Sequence, residues 1–197
     1  MRGITHNQSI QELRINTNLG NQGFGILGDI LRRNNNLTNL RFCGSDIGRE
    51  CAHNIAMALE QCQHNSLRRF DFVGNNVSEE GFAIATSLMS RSQLEGLYFD
   101  RGTIGRNGCV ALRNTISRWQ ASNLKRLHLG HNSIDDEGLQ VLVESMANCC
   151  NLEMLTLTGN RSITFIIIIG FEIYVSFAPI RTLLTVRACT VWHRFWG

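Results

Sequence analysis

Residues 124–132 read LKRLHLGHN. Leucine recurs at the first, fourth and sixth places, and an asparagine stands at the ninth. The Leu-x-Leu core alternates apolar and polar residues, which suits a strand with one buried face. Working outward, the same line returns as LRRFDFVGN and LEGLYFDRG upstream and as LEMLTLTGN downstream. Further upstream stand IQELRINTN and LTNLRFCGS. The six lines begin at Ile10, Leu37, Leu67, Leu94, Leu124 and Leu152, so successive starts lie 27, 30, 27, 30 and 28 residues apart. A fixed period of this length means a stacked array, because one unit of that size cannot bury its own apolar residues.

The second half of each unit also repeats. After the asparagine slot come an aliphatic residue, a polar turn and a glycine, as in NVSEEG, TIGRNG and SIDDEG, ending at Gly81, Gly108 and Gly138. Apolar pairs at i, i+4 follow: Ile55 and Leu59, Ile84 and Leu88, Leu112 and Ile116, Leu142 and Met146. That spacing puts each pair on one helix face, ready to pack on the strands. Strands are expected near Leu13–Ile15, Leu40–Phe42, Phe70–Phe72, Leu97–Phe99, Leu127–Leu129 and Leu155–Leu157. The slot residues Asn18, Asn75, Asn132 and Asn160 are expected to hydrogen-bond the backbone of adjacent turns.

These lines resemble the ribonuclease-inhibitor type of leucine-rich repeat, over roughly residues 8 to 162. The resemblance implies an α/β solenoid of about six repeats, with parallel strands on a concave face and helices on the convex one. The array is assigned to residues 1–162, with no room for an N-terminal capping helix before Ile10. The pattern is also similar to Ran GTPase-activating proteins, but no arginine or asparagine of that activity maps onto a position here. A third reading is the recognition segment of a larger immune-type receptor.

Other features fit the array better than they fit chemistry. GFGILG at 23–28 has the spacing of a dinucleotide loop, yet seven residues separate it from the strand end, and Gly23 reads as the first unit's turn glycine. Asp46, at the distance where such a fold wants an acid, falls in the next unit's turn. His128 and His131 lack a cysteine or carboxylate at zinc-ligand spacing. No G-x-S-x-G or H-E-x-x-H occurs. Neither a catalytic, a metal nor a cofactor site is therefore assigned, and the chain is read as non-enzymatic.

The formal charge of +3 and the lack of a basic cluster argue against nucleic acid. Seven cysteines without C-x-x-C argue for free thiols, and the N-terminal residues contain no apolar export signal, so a cytoplasmic location is expected. Residues 163–197 break the pattern. From Ile163 to Ile180 only Glu172 is charged. As a helix that stretch would span about 27 Å, just short of a hydrocarbon core of roughly 30 Å. Three readings stand: a tail foreign to the fold, which the abrupt loss of pattern favours; a membrane anchor through 163–180; or a decayed repeat whose strand starts at Ile180.

Outward-facing strand positions are the candidates for binding. Chosen from the fifth and seventh places of the lines, plus two rim residues, the candidate protein-binding set is Arg14, Asn16, Arg41, Asp71, Tyr98, Asp100, Arg101, His128 and His131. Mixed charge with a tyrosine and arginines suits a protein partner.

Overall fold

The structure, a computed structural model, describes residues 7–17, 19–43, 46–47, 53–55, 57, 66–77, 93–116, 123–146, 151–161 and 172–174. Each motif line contributes one strand: β1 (Glu12–Ile15), β2 (Asn39–Phe42), β4 (Arg69–Asp71), β6 (Gly96–Tyr98), β7 (Arg126–His128) and β8 (Met154–Thr156). All begin one residue before the expected place. Two short strands, β3 (Asp46–Ile47) and β5 (Asn76–Val77), follow the asparagine slot and pair with each other in parallel. Three helices follow strands: α1 (Gly20–Arg33), α2 (Gly105–Ile116) and α3 (Asp136–Met146), and residues 53–55 and 57 are helical as well.

The main sheet is parallel throughout and runs in chain order, β1-β2-β4-β6-β7-β8, closed at its far edge by β9 (Glu172–Tyr174). Its register aligns Leu13, Leu40, Phe70, Leu97, Leu127 and Leu155 in one row. From Leu40 on, every residue of that row is fully buried. So are the sixth-place residues Phe42, Phe72, Phe99, Leu129 and Leu157. Because in-register parallel strands repeat at about 4.8 Å, identical slots stack. Phe42 lies 5.3 Å from Phe72, and Phe72 lies 4.7 Å from Phe99, with nearly parallel rings. Phe24, Leu27, Leu112, Leu139 and Leu142 close the same core from the helix side. Ile10 and Leu13 are only half-buried, since among the described strands β1 has a neighbour on one side alone.

The asparagine slots behave as their chemistry demands. Asn75 Nδ2 donates to the Phe42 carbonyl at 2.9 Å, and Asn160 Nδ2 donates to the Leu129 and Leu157 carbonyls at 2.8 and 2.9 Å. Asn132, fully buried, donates to the Phe99 and Gly130 carbonyls and accepts from the Gly102 N–H at 2.9 Å. Asn160 Oδ1 accepts in turn from the Asn132 and Ile134 N–H groups. Each slot thus serves backbone groups of the preceding unit that the sheet leaves unpaired. Asn18 lies outside the described residues.

Two findings differ from the sequence reading. Gly23, Gly108 and Gly138, expected to end the turns, lie inside the helices. At Gly138 the reason is close approach, because a Cβ there would sit 3.3 Å from Cys109 Sγ on α2. The turn before α3 is instead closed by Asp135, whose Oδ1 caps the Gly138 N–H at 2.9 Å. Secondly, residues 172–174 of the tail form a strand, paired Leu155 to Ile173. The tail's other residues, including the strand expected from Ile180 and most of the 163–180 membrane candidate, lie outside the described residues. Among the described residues no helix is long and apolar enough to cross a membrane.

Candidate functional site: the polar face of the sheet

Side chains alternate across a strand, so burying the fourth and sixth places sends the third, fifth and seventh to the opposite face. The register sets the fifth places in one row: Arg14, Arg41, Asp71, Tyr98, His128 and Thr156. Most of the sequence-derived candidates therefore share one surface. Arg14 is exposed and pairs with Glu12 at 2.6 Å, and Asn16 is exposed beside it.

Asp71 corrects the expectation that it is presented to a partner. Its carboxylate is 1% exposed, because Oδ2 accepts from Arg41 Nε at 2.8 Å and lies 2.7 Å from Arg41 Nη2 and 3.2 Å from Arg69 Nη2. Oδ1 accepts from the Val73 N–H at 3.2 Å. The hydrogen bond to Asp71, and then its charge, raise the Arg41 pKa above its ordinary value. Asp71 is thus the anchor of a cationic pair rather than a contact.

From that pair an aromatic series continues along the row. The Arg69 guanidinium lies 4.0 Å above the Tyr98 ring centre, within cation–π range. Tyr98 stacks on His128 with centroids 4.5 Å apart. Gly96 makes the room, since a Cβ there would come within 2.8 Å of the Tyr98 ring. Both Tyr98 and His128 are half-buried. Desolvation lowers the His128 pKa, Asp100 opposes that shift, Arg69 and Arg126 add to it, and Asp71 opposes it. His128 is accordingly a neutral stacking partner near pH 7.

The rim carries backbone strain. Gly74, Arg101, His131 and Gly159 occupy the eighth place of their lines, and all four have positive φ, at 73°, 61°, 55° and 68°. Glycine adopts this region freely, whereas an L side chain costs roughly 1–2 kcal/mol there. Arg101 and His131 carry that cost on adjacent strands and are exposed. The His131 ring packs against Gly159, where a Cβ would clash with it. Between the rim and the row, Asp100 Oδ1 accepts from the Gly130 N–H at 2.6 Å.

The sequence reading omitted the third places, which bring Arg69 and Arg126 onto this face. Stepping back two residues from each fifth place finds them. It also passed over Asn34, buried three residues before Leu37. Asn34 Nδ2 donates to the Asn7 and Ile10 carbonyls, and its Oδ1 accepts from the Asn36 and Leu37 N–H groups. Asn7 makes the same turn before Ile10, a repeat visible in the spacing.

Among the described residues no three His, Cys, Asp or Glu side chains are grouped to hold a metal ion. The arrangement offers guanidiniums, a stacked aromatic pair and one buried carboxylate. No family model matches the chain. Over 162 residues, 80% of its length, the chain is 27% identical to NACHT, LRR and PYD domains-containing protein 3 of Rattus norvegicus. It spans 15% of that protein's length, so the likeness joins it to a segment of a protein named for an LRR domain.

Proposed function

We propose that the chain is a stretch of leucine-rich-repeat solenoid, of the ribonuclease-inhibitor type with about six repeats. In this reading it is a non-enzymatic, cytoplasmic module that binds a protein partner on the concave, polar face of its sheet. The observation that carries it is the Arg41–Asp71–Arg69–Tyr98–His128 series, in which each side chain is held by its neighbour. Pre-ordered arginine and tyrosine side chains lose little freedom on binding and are the residue types that dominate interface energetics. The likeness to a segment of a much longer protein favours one form of this reading, the recognition segment of a larger immune-type receptor.

Proximity labelling with the full chain tests the reading, comparing wild type with Tyr98→Ala/His128→Ala and with a helix-side control, Arg106→Ala. Proteins labelled by wild type and control but lost from the double variant support it. Equal labelling by all three rejects the polar face as the contact. A GTP turnover assay with and without the chain separates the GTPase-activating alternative, because a binding module leaves the rate unchanged.

A further inference from the structure

Resting on that reading, we infer that the partner offers an acidic peptide segment, which lies across β6 and β7 with its carboxylates at Arg101 and Arg126. From β2 to β7 the described polar face carries four arginines, Arg41, Arg69, Arg101 and Arg126, against two carboxylates, Asp71 and Asp100. Both carboxylates are already committed: Asp71 to two guanidiniums, and Asp100 to the Gly130 N–H. Arg101 and Arg126 are exposed, and no described carboxylate pairs with either. The face therefore has unmatched positive charge at two places, with the stacked Tyr98 and His128 between them.

The two points belong to one segment. Arg126 pairs in register with Gly96, and Arg101 lies five residues beyond Gly96 on the neighbouring unit. At about 3.3 Å per residue the two backbones are at most about 16 Å apart along the strand direction, since the chain turns after Tyr98. An extended peptide of five or six residues covers that distance and crosses Tyr98 and His128 on the way. Arg101 carries a side chain at the rim at positive φ, at a place where Gly74 and Gly159 present none. Strain of this kind is kept where function demands it. A continuous polyphosphate fits less well, because the described face offers two unmatched arginines with a stacked aromatic pair, not further free cations, between them.

The test displays random twelve-residue peptides and selects them on the immobilised full chain. The best peptide is then titrated by fluorescence polarisation. The expected result is a set enriched in Asp and Glu, whose affinity falls by about tenfold or more in Arg101→Gln/Arg126→Gln. It should hold its affinity in the helix-side variant Arg106→Gln. Peptides with no excess of acid, yet weakened by Tyr98→Ala/His128→Ala, overturn the acidic assignment and leave the polar-face reading standing. Peptides indifferent to both pairs of variants, or a selection with no binder, overturn both. Arginine-dependent binding of poly(U) as tight as that of the selected peptides would replace the peptide with a polyanion. Thermal melting of each variant confirms that losses do not come from unfolding.

Discussion

Replacing Asp71 by alanine separates an anchoring carboxylate from a solvated one. Its Oδ2 takes two contacts from Arg41 and one from Arg69, and Oδ1 takes the Val73 N–H. Removing one partner of a wholly buried ion pair costs roughly 3–5 kcal/mol. Here the side chains of Arg41 and Arg69 are 33% and 41% exposed, so water recovers part of their hydration. A loss of about 2–3 kcal/mol is expected for Asp71→Ala, against under about 0.5 kcal/mol for an ordinary surface charge. In a double-mutant cycle, coupling with Arg41→Ala should reach about 1–2 kcal/mol. Coupling with Arg69→Ala should stay below about 1 kcal/mol, because its single contact is longer and more exposed. Urea titration of the full chain, read by the midpoint at constant slope, measures each term. A cost within about 0.5 kcal/mol of wild type, or a stronger coupling to Arg69 than to Arg41, would refute the reasoning.

Asn132→Ala should cost about 1–3 kcal/mol in the same titration, since it takes the acceptor from the Gly102 N–H and the amide donor from the Phe99 carbonyl, whereas the Gly130 carbonyl keeps the Arg101 N–H. Arg101→Gly should stabilise the chain by about 0.5–1 kcal/mol, the relief of positive φ offset by glycine's greater unfolded freedom. His131→Gly should gain less, because its ring also packs on Gly159. His128 titrates below its ordinary value in the folded chain, so the unfolded chain takes the proton first as pH falls. Its contribution to stability should be complete above about pH 6.5 and shrink below it, and His128→Asn should flatten that slope in urea midpoints between pH 7.5 and 5.5. Burial pushes the Cys109 thiol up to about 12, and Asp135 adds to it, so iodoacetamide at neutral pH should label Cys43 in the folded chain and reach Cys109 only after unfolding.

The strands were legible because two constraints coincide on the same residues. Burial requires an apolar side chain at every second place, and stacking requires the same place in every unit, so Leu97 and Leu127 announce each other across 30 positions. The asparagine ladder was legible for the same reason, because an amide is the side chain that both donates and accepts at a turn. Asp71 was misread because its partners are remote in sequence. Arg41 stands 30 residues earlier and meets it only through the register. Adding one period to each polar position would have brought the two together. The glycines at 23, 108 and 138 misled because glycine marks a turn and a close helix contact equally well. Residues 172–174 were beyond any such reading, since β9 follows β8 by 18 residues rather than a full period and carries no motif.

A repeat reports its function where it departs from its own rule. At the eighth place the rule is set by backbone geometry, which favours glycine, and Gly74 and Gly159 obey it. Arg101 and His131 break it on neighbouring units, at a cost the fold must carry. At the third place, Gly96 sits between Arg69 and Arg126 in the same row, and the gap it leaves is filled by Tyr98. Neither exception improves the buried side of the sheet, since Leu97, Phe99, Leu127 and Leu129 are fully packed without them. Both exceptions fall on the residues around the Tyr98–His128 stack. Stability alone gives no reason to concentrate strain and a fixed aromatic pair on the same two strands. The contact surface proposed above would supply one, because it needs side chains held in place before a partner arrives.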